Sequence, residues 1–131
     1  MKVELDNRTP VYMQIIHHYK SKIASGEIES NAEMPSRREV ASYFKVNPNT
    51  VQRAFKEMET EGFIFTEGNS LSRVTKDESI LENIREELLT DAVNELVRAV
   101  KPIKVSLNEL TNRVSKQYID FDDSEGGQGN D

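Results

Sequence analysis

Residues 46–62 read VNPNTVQRAFKEMETEG and contain all the local signals of one helix. Asn47 can cap the helix with its side chain, and Pro48 suits the first helical position, where a backbone N–H would have no partner. Gly62 can adopt the left-handed conformation that commonly ends a helix. Apolar residues recur between these ends at the spacing of one buried face, at Val51, Ala54, Phe55 and Met58. The pattern predicts a helix over residues 48–61.

Similar signals upstream predict two more helices. Thr9-Pro10 is again a capping residue followed by proline, and it predicts a helix over residues 10–25. Residues 36–39 read SRRE and match a capping box, in which a serine hydroxyl and a glutamate carboxylate each accept a backbone N–H of the other residue. The box predicts a helix over residues 36–45. Because only residues 45–47 separate it from the next helix, the two helices must meet at a sharp angle.

Beyond Gly62 the apolar pattern changes to that of strands. Residues 63–66 (FIFT) and 71–74 (LSRV) are rich in strand-forming residues and flank a turn, so they predict a hairpin. Three helices with a tight turn between the second and third, followed by a hairpin, are the elements of a winged helix-turn-helix. In that arrangement the second helix of the helix-turn-helix, here residues 48–61, enters the major groove of DNA.

Two further amphipathic helices are predicted after the hairpin, over residues 78–101 and 107–119. Pro102 ends the first, and a second capping box at residues 106–109 (SLNE) begins the other. The fold class is therefore mainly α (α+β). The predicted parts are a winged helix-turn-helix domain over residues 1–76, a helical dimerisation segment over residues 77–119 and a disordered acidic tail over residues 120–131.

The first helix of this segment needs a partner, because its apolar stripe is too long for one short helix to cover. A second copy of the chain is the expected partner, since helix-turn-helix proteins gain affinity by placing two recognition helices on half-sites about one helical turn apart. Folding back onto the winged domain is the alternative. Leu107 and Tyr118 of the last helix are also expected to be buried. The expected dimer contacts are Leu81, Ile84, Leu88, Ala92, Leu96, Val100, Leu110 and Val114.

Charge is unevenly distributed along the chain. The net charge is −6, from 17 basic and 23 acidic residues, and an acidic total argues against a general nucleic-acid binder. However, residues 1–76 contain 11 basic and 10 acidic residues, whereas residues 77–131 contain 6 and 13. The acidity therefore belongs to the C-terminal part, and the predicted winged domain is nearly neutral.

Most other chemistries lack the residues that they need. The chain contains no cysteine, which excludes disulfides, thiolate metal sites and cysteine nucleophiles. His17 and His18 are adjacent, so on a helix they point about 100° apart and cannot chelate one metal ion. No apolar run is long enough to span a membrane, and the N-terminus lacks the pattern of a signal peptide. We therefore expect a cytoplasmic protein that is not an enzyme and uses no metal, cofactor or membrane.

Four motifs follow one another in order: PVYMQI at residues 10–15, SGE at 25–27, MPSRREVA at 34–41 and VNPNTVQRAFKEMETEGFI at 46–64. Together they resemble the DNA-binding domain of the GntR family of bacterial transcription regulators. The form VNPNTVQRA resembles the YtrA subgroup, which has a short two-helix segment in place of a larger effector domain. The resemblance implies a repressor that binds an inverted-repeat operator as a homodimer, and it implies an ABC-transporter operon as the target.

The resemblance also implies which residues contact DNA. Arg38 matches the arginine of the family's PSxR motif, which contacts DNA. Asn49, Thr50 and Gln52 stand where the family's recognition helix reads bases and phosphates. The helical wheel independently places Arg53 opposite the buried face. We expect Asn49, Gln52 and Arg53 at bases and Ser36, Arg38, Thr50 and Lys56 at phosphates, and the predicted DNA-binding set also includes Arg37, Asn47 and Arg73.

Four features depart from the family pattern, and the first is Pro48, which stands where many members have a basic residue that contacts DNA. Lys45 stands in a turn where glycine is usual, and a left-handed conformation there costs a lysine about 1 kcal/mol. Asn31 replaces another frequent glycine, and asparagine tolerates such a turn. The hairpin lacks the usual Gly-x-Gly-Thr-Phe run and its turn begins with Glu67, which argues against insertion of this wing into the minor groove. Arg73 is the one cation of the wing.

Two alternatives stay open at the level of the sequence. A winged-helix module that binds proteins and has lost DNA binding would account for the acidic hairpin and the acidic total. A regulator with an effector bound between its fourth helix and the winged domain is the other alternative, although no convergent polar cluster identifies a ligand.

Overall fold

The computed structural model describes residues 5–129, with side chains as far as Asp122. It contains five helices and one hairpin, so the mainly helical prediction is confirmed. The elements are α1 (Val11–Ala24), α2 (Arg37–Phe44), α3 (Pro48–Thr60), β1 (Ile64–Phe65), β2 (Arg73–Val74), α4 (Glu78–Val100) and α5 (Leu107–Gly129), with a 3₁₀ turn at Lys101–Ile103.

The C-terminal end of α5 differs from the predicted one. The helix continues to Gly129, whereas the apolar periodicity of the sequence ends at residue 119. Residues 120–131, predicted as a disordered tail, lie partly within this helix, while the side chains from residue 123 onward and residues 130–131 are outside the described part.

Packing divides the chain at a different place from the predicted boundary. The compact units are Met1–Thr90 and Asp91–Asp131, whereas the sequence places the end of the winged domain at residue 76. The first unit therefore includes the hairpin and the first half of α4.

The core of the first unit is built around α3. Every apolar residue that the sequence assigns to the buried face of this helix is indeed buried. Ile15 of α1, Val40 of α2 and Val74 of β2 close around it. The largest fully buried side chains are Phe55, Phe63, Ile15, Met34, Met58, Ile64, Val40, Val51 and Val74.

The predicted capping of α1 is wrong in its chemistry, although the helix begins where expected. Pro10 is the N-cap residue, and no side chain caps the helix. The preceding chain is held by Asp6, whose carboxylate accepts the backbone N–H groups of Arg8 at 2.9 Å and Thr9 at 3.1 Å. Gln14 donates to the Asp6 carbonyl at 2.8 Å and to the Thr9 carbonyl at 2.7 Å. Gln14, one turn into the helix, therefore fixes the irregular segment that precedes the helix.

Both predicted caps of the helix-turn-helix are confirmed. Ser36 and Glu39 form the reciprocal capping box of α2, and the Asn47 side chain accepts the N–H of Asn49 at 2.7 Å at the start of α3. Lys45 joins the two helices in the left-handed conformation, with φ 57°. Asn31 also adopts the predicted positive φ, at 64°.

The hairpin is part of a slightly larger sheet than the sequence predicts. β1 and β2 pair antiparallel, with Ile64 opposite Val74. On its other edge β2 contacts the segment before α2, where the Met34 N–H donates to the Ser72 carbonyl at 2.7 Å and the Val74 N–H donates to the Ala32 carbonyl at 2.9 Å. This second pairing ties the wing to the helix-turn-helix.

The first half of α4 packs into the winged domain. Ile84 is only 4% exposed, and Leu81 and Leu88 pack against the same apolar cluster. The prediction that these three residues contact a second chain is therefore wrong for Ile84, because its own domain already covers it. For this half of α4, the alternative of folding back onto the winged domain is the one observed.

A buried lysine accompanies this contact. Lys20 of α1 is 6% exposed, and its Nζ lies 2.9 Å from a carboxylate oxygen of Glu61 and 2.8 Å from one of Glu87. Burial alone lowers the pKa of Lys20, but the hydrogen bonds to Glu87 and Glu61 outweigh it, so the pKa is raised. Lys20 therefore stays charged and links α1, the end of α3 and α4.

Residues farther along the C-terminal helices are exposed. Leu107 is 78% exposed and Tyr118 is 72% exposed, so the expectation that they are buried is not met within one chain. None of the helices in residues 5–129 is long and apolar enough to cross a membrane.

Truncation of Ile84 tests whether α4 belongs to the winged domain. We expect Ile84→Ala to lower the free energy of unfolding by about 2–4 kcal/mol, because it leaves a cavity in the core. Leu71→Ala, a leucine truncation at the exposed tip of the hairpin, is the control and should change it by less than about 0.5 kcal/mol. Urea unfolding followed by circular dichroism measures both. Equal effects would mean that α4 does not pack on this domain.

Candidate nucleic-acid interface

The outer face of α3 carries the polar side chains that the sequence assigns to DNA. Asn49, Gln52, Arg53 and Lys56 are exposed and Thr50 is half-buried, because the apolar face of the helix is directed into the core. This face is uncharged or basic. Of the acidic residues of the helix, Glu57 is exposed in its C-terminal half, away from the N-terminal turn.

The start of α2 presents a second cation. Arg38 is exposed in the first helical turn and forms no salt bridge with any described residue. Its guanidinium is therefore available to an anion. A phosphate would also meet the positive end of the helix dipole at this point.

Arg37 is engaged inside the domain, unlike its neighbour. Its guanidinium lies 4.9 Å from the centroid of the Phe55 ring and 3.8 Å from a carboxylate oxygen of Glu59. Its Nε is buried and has no hydrogen-bond partner among the described residues. Arg37 thus joins α2 to α3, and its predicted role in binding DNA loses support.

Arg73 of the wing is engaged in the same way. Its guanidinium donates to the Asn31 carbonyl at 2.8 Å and to the Glu33 carboxylate at 3.3 Å. The turn at the tip carries the exposed acid Glu67 and a left-handed Gly68 with φ 57°. The wing therefore holds its arginine against the helix-turn-helix and presents an acid at its tip.

The two cap residues in the predicted set use their oxygens internally. The Ser36 hydroxyl oxygen accepts the N–H of Glu39 at 3.1 Å, and the Asn47 side chain caps α3. The amide N–H₂ of Asn47 makes no hydrogen bond with a described residue and can still donate to a phosphate, whereas the Ser36 hydroxyl also bonds the Glu39 carboxylate.

Arg53 has a partner that the sequence does not reveal. The Cζ atom of its guanidinium lies 3.9 Å from the centroid of the Tyr12 ring. Tyr12 occupies the first turn of α1, where its spacing marks it only as one more apolar position of that helix. No local signal links it to α3.

The His18 side chain lies among aromatic rings beside an open cavity. The His18 ring makes edge-to-face contacts with Tyr19 and Phe44, and burial, aided by the charge of Lys22, lowers its pKa. An open cavity of about 420 Å³ beside it is lined by Tyr43, Glu39 and other residues of α1 and α2. Among the described residues, no group of three or more His, Asp or Glu side chains could hold a metal ion.

The family described as "Bacterial regulatory proteins, gntR family" matches residues 11–74, which span α1 to β2. This range contains the helix-turn-helix, the wing and every predicted DNA-binding residue.

Two curated relatives from Bacillus subtilis (strain 168) are similar to the chain. The uncharacterized HTH-type transcriptional regulator YhcF is 26% identical over 110 residues, which cover 84% of this chain and 91% of that protein. The HTH-type transcriptional repressor YtrA is 42% identical over 66 residues, which cover 49% of this chain and 51% of that protein. The similarity to YtrA is thus higher but spans only about half of either chain.

Among solved structures, a GntR family transcriptional regulator from Listeria monocytogenes matches with a TM-score of 0.79 at 26% sequence identity. The match covers 86% of this chain and 98% of that one, so the two share the winged domain and a C-terminal segment of similar length.

The capping box should make the stability of α2 depend on pH. Hydrogen bonds from the backbone N–H and the hydroxyl of Ser36 lower the pKa of Glu39 below its ordinary value of 4.5. Because the folded pKa is the lower one, the stabilisation is complete above the ordinary pKa and is lost as the pH falls through the folded pKa. We expect the difference in urea midpoint between the wild type and Glu39→Gln to shrink as the pH falls from neutral into this range.

Glu29→Gln is the matched control, since it removes one exposed carboxylate that lies outside any helix cap. A difference between the wild type and Glu39→Gln that stayed constant with pH would show that the carboxylate does not cap α2.

Proposed function

This chain belongs to the GntR family of bacterial regulatory proteins, and we propose that it represses transcription by binding an inverted-repeat operator as a homodimer. It is a transcriptional regulator with an N-terminal DNA-binding domain, not an enzyme. The observation that supports the operator-binding role most directly is the exposed, acid-free N-terminal part of α3, with its Asn, Gln and Arg side chains.

In the proposed complex α3 enters the major groove. The amides of Asn49 and Gln52 have the geometry to bond adenine bidentately, and Arg53 suits guanine. Arg38, Thr50 and Lys56 approach the phosphates and set the register of the helix on the duplex. Since Arg37 and Arg73 are engaged inside the domain, we leave them out of the proposed contact set.

The exposed apolar residues of the second half of α4 and of α5 support the dimer. Leu89, Val93, Leu96 and Val97 follow one another at helical spacing along α4, with Leu89 52% exposed. Val114 and Phe121 are exposed on α5. A second copy would cover such a surface and place a second recognition helix on the other half-site. The proposed contacts therefore keep Ala92, Leu96, Val100, Leu110 and Val114 from the predicted set.

The repressor role draws on the similarity to a relative named as a transcriptional repressor, YtrA. An ABC-transporter operon remains the proposed target only because the resemblance to the YtrA subgroup implies it. An operator lies on the chromosome, so the proposed function places the protein in the bacterial cytoplasm.

A winged-helix module that binds proteins is the second candidate. The acidic tip of the wing and the internal pairing of Arg73 favour it, because many winged domains use wing cations on DNA. Salt dependence separates the two, since DNA binding releases counterions and weakens steeply as salt rises. Anisotropy of the chain with duplex DNA from its own upstream region measures this, and no binding at low salt would favour the protein-binding module.

Removal of Arg38 tests the DNA contact. We expect Arg38→Ala to weaken operator binding by about tenfold or more and to reduce the salt slope by about one, because one charged phosphate contact is lost. The unfolding free energy should change little, since Arg38 is exposed. Arg85→Ala on α4 is the matched control and should bind as the wild type does. Wild-type affinity of Arg38→Ala would contradict the assignment.

A charge in the apolar stripe of α4 tests the dimer. We expect Val93→Glu to give monomers in sedimentation equilibrium, because two carboxylates would be desolvated at a symmetric contact. Its affinity for a two-half-site operator should fall sharply, while its affinity for a single half-site stays unchanged. Arg98→Gln makes the same change in charge on the other side of α4 and should remain dimeric. A dimeric Val93→Glu protein would rule out this face.

A further inference from the structure

We propose that Tyr12 is a positioning residue for DNA recognition, because its ring holds the guanidinium of Arg53 where it can read a guanine. The proposal rests on the function proposed above and adds a specificity determinant on α1, outside the helix-turn-helix and the wing.

The contact between the two side chains is close. The Arg53 Cζ atom lies 3.9 Å from the ring centroid, which is near van der Waals distance for carbon atoms. At this separation the planar guanidinium lies against the face of the ring. Face contact leaves the N–H donors, which lie in the guanidinium plane, free to form hydrogen bonds beyond the ring.

Arg53 differs from other arginines of the described chain in the kind of group that it contacts. Those at positions 37, 73, 85 and 113 each lie within 4 Å of a carboxylate. Arg53 forms no salt bridge with any described residue and is held by an uncharged ring. Its positive charge is therefore not compensated locally, and its position is restricted without loss of attraction for the electronegative edge of guanine.

The Tyr12 ring that contacts Arg53 is itself held in place. Tyr12 is half-buried in the first turn of α1, and the adjacent turn contributes the buried Ile15 and Ile16 to the core. Gln14 fixes the chain that enters this turn through its hydrogen bonds to the backbone of Asp6 and Thr9. Since α1 packs on α3, the ring has a defined place beside the recognition helix.

Restricting Arg53 should increase affinity and selectivity together. A free arginine loses side-chain entropy when it is fixed. A side chain that already lies near its bound position loses less, so more of the hydrogen-bond energy to guanine appears as affinity. Tyr12 touches no base in this proposal and acts only through Arg53.

A double-mutant cycle tests the coupling. The proteins are the wild type, Tyr12→Leu, Arg53→Ala and the double variant, and the probe is a duplex selected from a random library by the full-length wild type. We expect Tyr12→Leu to weaken binding about fivefold in the wild-type background and to have no effect in the Arg53→Ala background. Tyr12→Phe, which keeps the aromatic face, should bind within about twofold of the wild type.

The cycle and the selection also separate the ways in which the proposal could fail. An equal effect of Tyr12→Leu in both backgrounds would show that Tyr12 acts through the packing of α1, and no effect in either would show that it does not position Arg53. Each result overturns the proposal while leaving operator binding intact. A wild-type protein that selects no sequence would instead contradict the proposed function.

A second selection uses a Tyr12 variant that still folds and tests which base preference depends on Tyr12. If Tyr12→Leu does not unfold cooperatively in urea, Tyr12→Met replaces it. This variant then selects duplexes from the random library. We expect the selected duplexes to lose the preference for guanine at one position of each half-site and to keep the preferences read by Asn49 and Gln52. Loss of all preferences in a variant that unfolds cooperatively, or retention of all of them, would overturn the proposed role of Tyr12.

Discussion

The ion pairs of Lys20 hold three elements of the first unit together. A buried ammonium group costs several kcal/mol unless it is paired, and the carboxylates of Glu61 and Glu87 both pair with Lys20. Glu61 is the C-cap residue of α3, and Glu87 lies in the first half of α4. Because the folded pKa of Lys20 is raised, its contribution is fully present below the unfolded value of 10.5 and is lost only as the pH rises through the folded pKa.

Beside this contact the apolar stripe of α4 changes from packed to exposed. Up to Leu88 the stripe faces the core of the first unit, next to the Lys20 ion pairs. From Leu89 to Ala99 the apolar residues of the helix are exposed in the single chain. One continuous pattern in the sequence thus serves an intramolecular core first and, in the proposed dimer, an intermolecular one afterwards.

The arginines of the winged domain fall into two groups, those that join its elements and those proposed for DNA recognition. The guanidinium groups of Arg37 and Arg73 lie beside carboxylates and join elements of the winged domain. Those of Arg38 and Arg53 form no salt bridge with a described residue, and Arg53 contacts an aromatic ring. The net charge of −6 is therefore a poor guide to DNA binding. For the proposed DNA contact, what matters is the small number of cations that no carboxylate of the described residues neutralises.

The sequence by itself determined the helices, the hairpin and their order. The capping box of α2 and the Asn47-Pro48 start of α3 depend on residues within a few positions of one another, so local patterns predict them. The left-handed turn at Lys45 was implied by the resemblance to the GntR family. The tertiary structure alone determined which side chains remain free. The bond from Arg73 to Asn31 spans 42 residues, the bond from Lys20 to Glu87 spans 67, and the Tyr12 ring meets Arg53 only because α1 packs on α3. Such partners are adjacent in space and distant in sequence, so no local periodicity predicts them.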